Sequence, residues 1–206
     1  MGNQFSDDTL HSPGLDLAKA VSKASHHCAD SLIPEIEQNV TTEKEKHINY
    51  INVYSEFFCF IMHWVNRLMF VIANQDVRDR FLKSGWLFVC IAVDSIIGHW
   101  PKESKLNLSQ EILDKLNKAE IEYSESKALT EDKEKPQDGI FGDSLLAKLT
   151  RNIAMQCGYE MVNYQGVRIT KNIADIMILN LKIKDLFIDI MKEFNFEFIK
   201  KNLIIK

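Results

Sequence analysis

An all-α fold is predicted for this chain of 206 residues: a single bundle of six or seven helices around a long central helix over about residues 43–74. Three observations predict it. The chain holds only 8 Gly and 4 Pro, too few for the closely spaced turns of a β-sandwich. Its apolar residues recur at three- and four-residue steps over most of its length, and no strand is predicted. A capping box, Thr42 with Glu45, opens the longest of these periodic segments. In such a box each side chain satisfies a backbone N–H left free at the helix start.

Residues 1–13 read as a flexible lead ending at Pro13-Gly14, and residues 14–206 as a single helical domain. Leu17, Val21, Ala24, Cys28 and Leu32 mark one apolar stripe of a first helix, which Pro34 breaks or restarts. The segment from Thr42 to about Asn74 is the predicted spine, close to 50 Å long at about 1.5 Å per residue. Asn74-Gln75-Asp76 reads as a turn, followed by a helix that Pro101 ends near Gly98, with a kink or an interruption at Gly85. Ser109 is placed as the cap of a peripheral helix over Gln110 to about Lys127. Residues 128–139, ALTEDKEKPQDG, read as a charged surface loop. Asp143 or Ser144 caps a helix through Leu146, Leu149 and Ile153 towards Gly158. The stretch from Tyr159 to Ile169 either continues it or forms an irregular connection, and Thr170 opens a last long helix.

Composition narrows the function classes. The net charge is −4, and Lys and Arg are interleaved with Asp and Glu, so no clustered basic face for nucleic acid is expected. No transmembrane span is expected either, because Glu56, His63, Asn66 and Arg67 interrupt the longest apolar run. Cys28, Cys59, Cys90 and Cys157 are far apart and form no CxxC pair. With a polar N-terminus that lacks a secretory signal, they fit thiols in a reducing, cytoplasmic setting. Met1-Gly2-Asn3-Gln4-Phe5-Ser6 matches the short pattern for myristoylation at Gly2, but no polybasic cluster follows to make a stable anchor.

The segment EFFCFIMHWVNRLMF, residues 56–70, carries the candidate site. On a helical wheel Asn49, Asn52, His63 and Arg67 fall within an arc of roughly 60° around Glu56, and Cys59 lies at its edge. Outside this arc the helix is almost wholly apolar from Tyr50 onward. Two readings stay open. The stripe is either a thin strip of contact with water or the wall of a polar interior, where a buried Glu56 demands partners. An antiparallel hairpin turning near Gln75 would set Glu56 level with Asp94, the lone charge in WLFVCIAVDSIIGHW. Glu56, Cys59, His63 and Asp94 could then hold a small ligand or a divalent metal ion, since carboxylate, thiolate and imidazole together suit a borderline cation. The main expectation is different: a non-catalytic helical protein acting through contacts with another protein or with itself. The apolar tail from Phe194 to Ile205 is its expected interface.

Overall fold

The apolar stripe of the first helix dictates the first packing event. In the computed structural model, which describes residues 7–40, 42–72, 85–99, 101–124 and 144–193, helix α1 spans Asp7–Ile36. Leu17, Val21, Ala24, Cys28 and Leu32 are all buried along it, as their spacing predicts. Helix α2 spans Glu43–Ile72 and lies against α1. The pairing joins complementary sizes. Small residues of α1, among them Ala18, Ala29 and Ser25, face a helix whose buried side chains include Tyr54, Phe57, Phe58 and Phe60. Each large side chain removed from water contributes about 1.5–3 kcal/mol.

The start of α2 follows the capping signal. Thr42 Oγ1 accepts a hydrogen bond from the Glu45 backbone N–H at 3.2 Å and donates its own proton to the Glu45 carboxylate at 2.7 Å. The expected single spine is corrected, however, because α1 is as long as α2 at 30 residues. Residues 7–13 of the expected lead are helical. Helix begins at Asp7 and passes through Pro13, since adding turns to an already docked helix is far easier than nucleating one. Pro34 does not break α1, which continues to Ile36 and ends in a short 3₁₀ turn, Glu37–Asn39.

Helix α3 spans Gly85–Ile97 and α4 spans Lys102–Ser124. Pro101 ends the first and begins the second, its carbonyl accepting from Lys105 N–H at 3.2 Å. A proline suits this position because the first helical residues have no use for a donor. Ser109 is therefore not a cap. It lies inside α4, buried, with its hydroxyl donated back to the Lys105 carbonyl at 2.8 Å. The expected α2–α3 hairpin is corrected as well, since α3 packs chiefly on α1 and α4, while α4 takes the place beside α2. The helix read as peripheral thus covers the polar stripe.

Helix α5 spans Leu145–Gln156. Ser144 caps it, accepting from Ala147 N–H at 3.1 Å. Its end is a Schellman motif: Tyr159 N–H reaches the Ala154 carbonyl at 2.9 Å, and Gly158 N–H reaches Met155 at 3.0 Å. Gly158 adopts φ 84°, the left-handed conformation that this motif requires. Tyr159 then donates its hydroxyl to the Ile36 carbonyl at the end of α1, at 2.6 Å.

Helix α6 spans Tyr164–Asp175, capped by Asn163. A Cβ on Gly166 would come within 1.9 Å of the Glu160 carbonyl oxygen, so only glycine fits there. Thr170 lies inside α6, donating to the Gly166 carbonyl at 2.8 Å, and does not open a helix. The expected last long helix is instead divided. A π-turn segment, Ile176–Asn180, and Lys182 at φ 44° separate α6 from α7, Ile183–Glu193. The described residues thus form seven α-helices and no strand. None of these helices is long and apolar enough to cross a membrane. Gly2, the loop over 128–139 and the tail from Phe194 to Ile205 lie outside the described residues.

Candidate functional site

The polar stripe of α2 faces inward at its middle. Asn49, Glu56, Cys59 and His63 are buried there. Arg67, near the helix end, is exposed. The demand for partners at Glu56 is met by α4 and α5. Glu56 Oε1 accepts from the Tyr123 hydroxyl at 2.7 Å and from Asn152 Nδ2 at 3.0 Å, and Oε2 accepts from Gln156 Nε2. A carboxylate with three donors has most of its acceptor sites satisfied, which makes its burial tolerable.

Local structure puts these donors in place. Tyr123 is in the last turn of α4, and Asn152 and Gln156 are four residues apart in the last turns of α5. Residues at that spacing share one helix face. The amide of Gln156 is oriented by a second contact. Lys115 Nζ, which can only donate, lies 2.7 Å from Gln156 Oε1, so Nε2 is left to face Glu56. Asn52 Nδ2 donates to the Gln156 backbone carbonyl at 3.0 Å, satisfying an acceptor that the helix end leaves free. Asn152 Nδ2 also lies 3.2 Å from Glu122 Oε1. Burial, and then the charge of Glu56, push the Tyr123 phenol well above its ordinary range, so it stays a donor.

Beside this cluster is a cleft of about 390 Å³ between α2, α4 and α5. Glu56 and Asn52 contribute from α2, Lys115, Lys118, Ala119 and Glu122 from α4, and Asn152, Met155 and Gln156 from α5. The walls therefore carry two carboxylates, two amines and three amides beside a short apolar strip.

The other expected site residues are not brought together. Asp94 is largely exposed, with Lys105 Nζ at 2.9 Å, and does not reach Glu56. The reason is the packing of α3 on α1 and α4. Cys59 is buried against α4, where its thiol faces the Ile112 carbonyl at 4.0 Å. Burial, reinforced by Glu56, raises its thiol well above the ordinary range, so it stays protonated and is a poor ligand. His63 Nδ1 lies 3.1 Å from Glu120 Oε2, but off the line of a hydrogen bond, and its ring packs 5.6 Å from that of Tyr123. Asn66 Nδ2 donates to the same Glu120 oxygen at 3.0 Å. Among the described residues no three His, Cys, Asp or Glu side chains are placed to share a metal ion.

Sequence reasoning missed Tyr123, Asn152, Gln156 and the lysines opposite them. One signal was present. Asn152 and Gln156 stand four apart beside the core residues Ile153 and Ala154, a polar pair at the edge of a buried face. No protein-family model, curated protein or solved structure matches the chain, so the site is judged by its own chemistry.

Proposed function

We propose that the protein binds a small zwitterionic molecule, such as an amino acid, in the cleft between α2, α4 and α5. The observation that carries this is the pairing of opposite charges on its walls. Lys115 and Lys118 can receive a carboxylate, Glu122 and the floor carboxylate Glu56 can receive an ammonium group, and Met155 and Ala119 offer a short apolar strip. A few fixed polar groups around a modest volume are what orients a small ligand. The Glu56 network is preorganised by bonds from three helices, so binding requires little ordering. Contact with a protein partner through Phe194–Ile205 rests on residues outside those described.

Calorimetric titration with the twenty amino acids and with ω-amino acids tests the proposal. Saturable binding of at least one is expected. The double variant Lys115→Ala/Lys118→Ala is expected to weaken it at least tenfold, about 1.4 kcal/mol. No saturable binding by any of them, or equal binding by the double variant, would overturn the proposal.

A further inference from the structure

A second polar cluster joins α1, α2 and α3 on another part of the molecule. Asp30 and His26 come from α1, Tyr50 from α2 and Ser95 from α3. Tyr50 donates its hydroxyl to Asp30 Oδ1 at 3.1 Å. His26 Nδ1 lies 2.7 Å from the Tyr50 oxygen, and His26 Nε2 lies 3.0 Å from Ser95 Oγ.

The directions of these bonds follow from the number of protons. Asp30 can only accept, so it takes the single proton of Tyr50. Tyr50 must then accept from His26, which places the imidazole proton on Nδ1. That leaves the lone pair of Nε2 facing Ser95 Oγ, whose single proton it shares with the nearer Ala92 carbonyl. The arrangement has the logic of a serine–histidine–aspartate triad, with a phenol between histidine and aspartate. The Ser95 proton has a second acceptor in the Ala92 carbonyl at 2.7 Å. Ser22 donates to Ser95 at 3.0 Å, and the Tyr54 hydroxyl lies 3.2 Å from it. Ser95 is exposed and His26 is half-buried, so the base is the more sheltered of the two.

We propose that Ser95 is an activated nucleophile that accepts acyl groups from small activated esters, with His26 as general base and Tyr50 and Asp30 as positioning residues. Ser95 Oγ forms a bond to the carbonyl carbon while its proton passes to His26 Nε2. The tetrahedral intermediate breaks its bond to the alkoxide, which takes the proton from the imidazolium, leaving an acyl-serine. Water, deprotonated by the same nitrogen, then bonds to the acyl carbon; the bond to Ser95 Oγ breaks, Oγ takes the proton back from the imidazolium, and the carboxylic acid leaves. The titratable groups facing His26 are Asp30 on its own helix and Tyr50 and Tyr54 from α2, with Ser95 presented by α3. Burial lowers the His26 pKa against the opposing pull of Asp30, so the free base persists below the ordinary histidine range.

The full chain is treated with p-nitrophenyl acetate, and nitrophenolate release, intact mass and the acylated peptide are recorded. One acetyl group on Ser95 is expected, absent in Ser95→Ala and formed at least a hundredfold more slowly in His26→Gln, the lower end of general-base contributions of about 10²–10⁴. Tyr50→Phe is expected to slow it and to shift the pH profile, because the imidazole loses its acceptor. In the unaltered chain the rate rises with pH through one titration whose midpoint lies below the ordinary histidine value. Acetylation elsewhere only, an equal rate in His26→Gln, or a rate rising without a midpoint below the ordinary histidine value would overturn the proposal. The last readout needs no variant to fold.

Discussion

Glu56 shows how one buried charge organises its surroundings. Its three donors come from two helices distant in sequence, and without it the Tyr123 hydroxyl and the Gln156 side-chain amide would lose their acceptor. Tyr123 is the most informative single test, because it is fully buried and its hydroxyl serves the carboxylate directly. Tyr123→Phe is expected to lower stability in urea denaturation by about 1.5–3 kcal/mol, the range for a hydrogen bond to a charged group. Tyr164→Phe, at an exposed position, is expected to stay within about 0.5 kcal/mol of the parent. Equal effects of the two would show that the Glu56 bond contributes little. At this scale the sequence was half legible. Glu56 and His63 stood out because charge is costly on an apolar helix, and they are indeed buried. Their partners did not stand out, because Tyr123, Asn152 and Gln156 lie in segments where polar residues are ordinary.

The caps at Thr42 and Ser144 were readable, the Asn163 cap of α6 was not, and internal hydroxyls were misleading. Thr42 and Ser144 both accept from the backbone N–H three residues on. Ser109 and Thr170 look like caps in the sequence but bond back to the carbonyl four residues earlier, a use open to any mid-helix hydroxyl. Pro13 and Pro34 were read as boundaries, and α1 passes through both although each removes a backbone donor. The break before α7 was not foreseen, since it depends on Lys182 in a left-handed conformation with nothing in the sequence to announce it. Lys182 is exposed, so Lys182→Gly relieves that backbone without removing buried contacts. A thermal or urea melt is expected to show a gain of about 0.5–1 kcal/mol. A loss would show that the lysine side chain holds the break in place.

The whole molecule is a helical bundle in which two equally long helices form the frame and α4 and α5 close over the polar side of one of them. Fold class was legible because periodicity and the scarcity of Gly and Pro act everywhere along the chain. Helix neighbours were not, because register arithmetic assumes that consecutive helices pair, whereas α3 turns to α1 and α4. That choice separates Asp94 from Glu56 and opens the cleft beneath Lys115 and Lys118. The central claim is that the α2 stripe is the floor of a ligand site. It is tested most directly by the side-chain amide NMR signals of Asn52, Asn152 and Gln156, recorded while the amino acids are added. The account predicts that a binding amino acid shifts these signals together, with one saturation curve, while the backbone signals of α7 stay in place. Binding that leaves all three amide pairs unmoved would contradict it.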